Sequence, residues 1–187
     1  MNTAFRVMLV SLLFLGTAAL VKAQHAEITH NTWTNEAAML VGVSEPSAGV
    51  VGTSMVVADG AENSGFTGYT EGFDIATNTW SALTPDPTSR SASCYGAVGP
   101  KLYVIGGTSG GEGAAALSLN ESFQLSKDKW ATLAPMPQGS VFPASTIYKG
   151  KLYSIGGCRL QSSATCRFIS HSRRELLLAD QILGEKK

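Results

Sequence analysis

A spacing of 50 residues recurs along this chain and limits its fold more than any other feature. Trp80 and Trp130 share it, and so do Phe73 and Phe123. Lys101-Leu102-Tyr103 returns as Lys151-Leu152-Tyr153, and Gly106-Gly107 returns as Gly156-Gly157. Four features on one period mark a copied supersecondary unit, and such units bury their apolar faces by stacking on one another. A weaker copy comes first. Asn31-Thr32-Trp33 matches Asn78-Thr79-Trp80, and Asp59-Gly60 stands where the glycine pair belongs, behind the apolar run Met55-Val56-Val57-Ala58.

Each copy reads as four short strands. An apolar, small-residue strand such as Ala92–Val98 turns at Gly99-Pro100 or Lys149-Gly150. The second strand, Leu-Tyr-Val-Ile in character, ends at the glycine pair. A glycine-rich loop, Thr108–Gly113, leads to a third strand around Phe123, and the polar turn Ser126-Lys127-Asp128-Lys129 leads to a fourth that opens at Trp130. Pro135 and Pro137 close it, because proline has no N–H for a ladder. The high glycine content, 20 residues, and the low charge, 15%, suit a turn-rich all-β chain.

The recurring order resembles the kelch motif, with a strand ending in Gly-Gly, then an aromatic, then a tryptophan at a set interval. The resemblance runs over residues 31–157 and is carried by Trp33, Gly60, Phe73, Trp80, Gly106, Gly107, Phe123, Trp130, Gly156 and Gly157. It implies an all-β fold of kelch-type β-propeller blades, about three of them, partial or complete. Kelch propellers close with more blades than this, so the propeller is expected to be incomplete unless it closes by homo-oligomerisation. After Gly157 the period fails, with Arg173 and Asp180 at the aromatic positions. Ser172-Arg173-Arg174-Glu175 reads as a capping box ahead of a short amphipathic helix over Leu176–Leu183. Residues 158–187 are thus a basic tail, either a C-terminal cap or the end of a truncated or frame-shifted chain.

Residues 1–23 read as a signal peptide: Arg6, the apolar stretch Val7–Val21, and small residues in Val21-Lys22-Ala23 ahead of a cut before Gln24. The stretch is short for a membrane span, which needs about 20 residues. The expected setting is extracellular or periplasmic, with no stable span after cleavage. There disulfides persist. Cys158 and Cys166 enclose seven residues and can close a hairpin loop, which leaves Cys94 as a buried free thiol. Residues 24–157 carry 6 basic and 11 acidic side chains, a poor surface for nucleic acid.

No catalytic constellation is visible. His25, His30 and His171 lie outside the clear repeats, no spacing matches a metal site, and no cofactor is implied. The kelch fold also hosts a copper-radical oxidase, whose histidine ligands are missing here, and a sialic-acid mutarotase, which needs carboxylates beside a positioned arginine. Arg90 is the one arginine of the repeats. Where kelch arginines face the central channel it is a ligand contact, and the plainer reading is a solvated loop arginine beside Asp86. Thr108–Gly113 lacks the Lys-Ser/Thr ending of a phosphate loop, and Asn120-Glu121-Ser122 is a glycosylation sequon. The favoured function is a protein- or glycan-binding module rather than an enzyme. The alternatives are a carbohydrate-modifying enzyme such as a mutarotase-like isomerase, or a non-functional fragment. N-terminal sequencing of the exported protein checks the targeting segment: the first residue is expected to be Gln24, and an intact Met1 on exported protein would refute it.

Overall fold

The computed structural model describes residues 33–111 and 113–159 and a short strand at 177–178. Residues 33–35 belong to one compact unit, in which Trp33 lies outside any strand and is 97% exposed. A second unit begins at Glu36 and holds all the strands described here.

The first blade contains β1 (Ser47–Val51), β2 (Ser54–Ala58), the two-residue strands β3 (Ala61–Glu62) and β4 (Gly65–Phe66), β5 (Thr70–Asp74) and β6 (Thr79–Leu83). Its sheet runs β1-β2-β5-β6 from inside to outside, and β3 and β4 form a separate small hairpin in the loop after the glycine. The second blade repeats the order with β7 (Cys94–Val98), β8 (Lys101–Ile105), β9 (Asn120–Gln124) and β10 (Lys129–Thr132). The third has β11 (Ala144–Tyr148), β12 (Lys151–Ile155) and β13 (Leu177–Leu178). Every pairing is antiparallel. The tight turns at Gly52-Thr53, Gly99-Pro100 and Lys149-Gly150 use left-handed residues, as hairpins of this length demand.

The helix expected over Leu176–Leu183 lies outside the described residues except at Leu177 and Leu178. Those two are extended and pair with Ser154 and Tyr153. The free edge of β12 offers unpaired backbone groups, which an extended segment satisfies and a helix does not.

The period has a direct physical meaning in the packing. Phe73 lies opposite Trp80 and Phe123 opposite Trp130, with ring centroids 4.9 and 5.2 Å apart. Val51, Val56 and Ala58 of the first blade pack with Leu102, Val104, Phe123 and Trp130 of the second. Cys94, Tyr103 and Ile105 of the second pack with Leu152 of the third. The inner strands come so close that a Cβ on Gly49 would lie 2.9 Å from Ala97 Cβ, and one on Gly96 would lie 2.8 Å from Leu152 Cδ1. Small residues at the inner strand are therefore a packing requirement.

At the outer rim one contact is made twice. The Trp80 indole donates to the Ala37 carbonyl (2.8 Å), while the Asn78 side chain accepts the Ala37 N–H (2.8 Å). The Trp130 indole donates to the Thr84 carbonyl (2.9 Å), while Asp128 accepts the Thr84 N–H (2.8 Å). Asn78 and Asp128 hold φ of 54° and 45°, a left-handed turn that Asn and Asp tolerate and that aims the side chain at the neighbouring peptide. Each tryptophan thus does two jobs: it covers its own blade and brackets the chain entering it. Trp130→Ala is expected to cost about 3–5 kcal/mol of stability. Trp80, only half-buried, is expected to cost clearly less. Denaturant melts check both, and equal losses would contradict the packing described.

Candidate functional site

Two places deserve comparison as sites: the junction around Arg90, and the groove between the inner strands. The first begins with the glycine pair. Gly106 and Gly107 have φ of 72° and 85°, and Gly107 N–H donates to the Ser140 carbonyl of the next blade (2.8 Å). In the first blade Gly60 N–H donates in the same way to the Arg90 carbonyl (2.8 Å), but Asp59 occupies the place of Gly106 with φ of 61°. A left-handed aspartate is costlier than glycine, so its side chain must compensate.

Its counterpart is Arg90. The arginine is 0% exposed and its guanidinium meets three carboxylates. Nη2 pairs with Asp86 Oδ2 (2.9 Å) and with Glu121 Oε2, and Nε stands 3.6 Å from Asp59 Oδ2. The solvated loop arginine is thus replaced by a buried clamp. The Pro85–Ser91 segment folds inward because Asp86 and Arg90 pair with each other and with Glu121 on β9. Asp59 comes from the first blade and Glu121 from the second, so Arg90 ties them together.

Burial, reinforced by the Asp86 charge, pushes Asp59 up to about 9, against the opposing pull of Arg90. Burial likewise raises Glu121, with Asp86 adding to it. Burial works against the Arg90 charge, and Asp86, Asp59 and Glu121 outweigh it and raise it further. The natural state at neutral pH has Asp59 protonated, which spares the interior a second excess negative charge. The cavity beside Asp59 is about 10 Å³, room for about one water at most. Arg90 therefore has no open face toward a ligand among the described residues.

The first blade solves the same problem without an arginine. Glu71 lies 50 residues before Glu121, and its two oxygens accept the N–H groups of Leu40 (3.0 Å) and Val41 (2.8 Å). A buried glutamate on the third strand thus anchors the incoming segment in both blades. Its signal was present in the sequence, as a pair of glutamates two residues before each phenylalanine.

The second place is a groove of about 700 Å³ on the inner strands. It is lined by Ala48, Gly49 and Val50 of β1, by Tyr95 to Ala97 of β7, and by residues 143–147. No lining side chain carries a charge. Tyr95 is 38% exposed there, and its N–H donates to the Ser145 hydroxyl oxygen (3.1 Å). Just ahead of the three inner strands, Glu45, Ala92 and Phe142 hold φ of 54°, 56° and 54°. They are linked in an arc, since Ser91 Oγ donates to Glu45 (3.0 Å) and Phe142 N–H donates to the Ala92 carbonyl (2.9 Å).

The other sequence markers fall as follows. Phe73, Phe123 and Trp130 are buried, Trp80 is half-buried, and Gly60, Gly106 and Gly107 sit at the blade junctions. Gly156 and Gly157 end β12 with φ of 71° and 91°. Asn120 of the sequon is buried and donates to the Ala134 carbonyl (3.1 Å). Cys94 is a buried free thiol. Cys158 is disulfide-bonded, and Cys166 lies outside the described residues. Among the described residues no three His, Cys, Asp or Glu side chains group as for a metal, and no helix is long and apolar enough to cross a membrane.

A model of the kelch motif matches residues 89–137, from the Arg90 clamp to the exit of β10. The repeat is a kelch motif. No curated protein matches the chain. Among solved structures, the kelch blades are similar to YjhT, with a TM-score of 0.57 and 19% sequence identity over 67% of this chain and 37% of that one. The chain thus spans little more than a third of that protein's length. The shared fold is that of β-propeller blades of the kelch type.

The clamp sets a pH dependence. The folded chain holds the Asp59 proton up to about 9, whereas the unfolded chain releases it near 3.8. The folded state therefore binds more protons between those values, and stability falls as pH rises through that window. Raised Glu121 acts in the same direction. Urea melts at pH 5 and pH 8 are expected to show lower stability at pH 8, with Asp59→Asn flattening the difference. A native chain more stable at pH 8 would overturn this assignment.

Proposed function

We propose that the protein is an exported binding module, extracellular or periplasmic, that holds a protein or glycan partner in the groove on its inner strands. The observation that carries the reading is the separation of charge from the groove. The charged side chains that converge from different blades, Arg90, Asp59 and Glu121, are sealed at a blade junction. The groove presents small and apolar side chains, a tyrosine and strand backbone. Such a surface recognises shape and hydrogen-bonding pattern, whereas isomerisation of a sugar needs an acid and a base open to the substrate. The export setting is supported by the signal-like residues 1–23.

Binding of the full chain to a glycan array and to a displayed peptide library tests this, with Ser145→Trp as the groove-filling variant. Ligands held by the native chain and lost by at least tenfold in the variant are expected. Ligands that bind both equally would overturn the groove as the site. Catalysed anomer exchange of a free sugar, followed by NMR and abolished by the same variant, would replace binding with the mutarotase reading.

A further inference from the structure

The inner edges of the blades carry hydrogen-bonding groups that the sheets leave over. β1 and β7 are the innermost strands of their sheets, so each pairs with a strand on one side only. In a two-residue hairpin the residues flanking the turn exchange both backbone bonds, and bonded pairs then alternate along the ladder. On β1 the bonded residues are Val51, Gly49 and Ser47, opposite Ser54, Val56 and Ala58. The N–H and C=O groups of Ala48 and Val50 therefore turn away from β2, toward the groove. On β7 the same count turns out those of Tyr95 and Ala97. The Tyr95 N–H confirms the direction, since its acceptor is Ser145 Oγ of the third blade (3.1 Å).

Ser145 thus caps the inner edge of β7. Tyr95 holds the same place on β7 that Ser145 holds on β11, the second residue of the strand. It points toward β1, because Gly96 beside it faces Leu152 and Ile147 of the third blade. Its phenolic oxygen stands a ring's length from the backbone, so it cannot repeat the serine cap. Among the described residues the N–H groups of Ala48 and Val50 have no hydrogen-bond partner.

Three properties of this edge select its occupant. Its donors and acceptors recur at every second residue, about 6.8 Å apart, which is the repeat of an extended main chain and not of a sugar. Ala48, Gly49, Gly96 and Ala97 are small, so another main chain can approach to strand spacing, about 4.8 Å. No groove side chain is charged, so a charged group brought there would lose water and gain no partner.

We propose that β1 takes an extended, uncharged peptide segment of a partner protein as an added inner strand. Ala48 and Val50 exchange backbone bonds with it, and the Tyr95 ring packs against its side chains. This rests on the groove being the binding site, and it narrows the ligand from protein or glycan to peptide main chain.

A synthetic library of end-blocked pentapeptides of Gly, Ala, Ser, Thr and Val tests it against the full chain. Binders are expected, and each is remade with a methyl group on one amide nitrogen at a time. Methylation at alternate positions is expected to weaken binding about tenfold, and at the positions between them to leave it unchanged. Ala48→Pro removes one outward N–H and no ladder bond, and is expected to weaken the same peptides about tenfold with an unchanged far-UV spectrum. A methyl scan without alternation, or a chain that binds neutral oligosaccharides and none of the peptides, would overturn the added strand. In either case, binding abolished by Ser145→Trp would leave the groove as the site. Peptides that show the alternation yet bind Ser145→Trp unchanged would overturn both, and so would a chain that binds neither class.

Discussion

A four-stranded sheet has two faces, and in these blades both are apolar. Val56 and Ala58 lie buried on one blade against Leu102, Val104 and Phe123 of the next, so no blade can satisfy itself. At about 25 cal/mol per Å² of apolar surface removed from water, stacking is the main driving term. Everything else in the structure manages that stacking. Glycines thin the inner strands, tryptophans thicken the outer ones, and the resulting wedge fans the blades about an axis. The fan opens the groove as a geometric by-product, which is why its floor consists of the same small residues that let the blades approach.

Hydrogen bonds then fix which blade meets which. The backbone bonds from Gly60 to Arg90 and from Gly107 to Ser140 recur at equivalent places near the axis, and the brackets on Ala37 and Thr84 recur at the rim. Apolar contact alone tolerates sliding, whereas a peptide gripped on both its N–H and its C=O permits one register. The Arg90 clamp adds a third tie at one junction only. Its three carboxylates outnumber its one cation, and protonation of Asp59 leaves a single excess negative charge at the junction. A buried ion cluster of this kind serves to define the junction more than to strengthen it.

The period, the strands and their order were legible because glycine, aromatic and tryptophan positions are dictated by local geometry. The repeat put Phe123 on the third strand and Trp130 at the opening of the fourth, and the structure pairs those two residues and Phe73 with Trp80 across adjacent strands. Arg90 lies just ahead of β7, and the structure buries it among carboxylates rather than in a solvated loop. Its partners come from 31 residues on one side and 31 on the other, and sequence gave no reason to join Asp59 to Glu121. Asp59 itself read as a degenerate glycine, when its buried side chain faces the Arg90 guanidinium. At Leu177 and Leu178 the chain is extended against the open edge of β12.

The arc of Glu45, Ala92 and Phe142 carries a consequence for how this scaffold can change. Each is a non-glycine residue in a left-handed conformation, at the same step of three successive blades. Such residues are strained by about 1 kcal/mol or more, and glycine would relieve them. Evolvable surfaces often sit where the backbone is least comfortable, because a side chain held there is displayed by the fold rather than by its own preference. Here an acid, a methyl group and an aromatic ring occupy one repeating perch beside the groove. Exchanging Glu45 or Phe142, both exposed, would alter what the protein meets while leaving the stacked sheets untouched, whereas Ala92 is buried against Val141 and Cys158 and is held by the core.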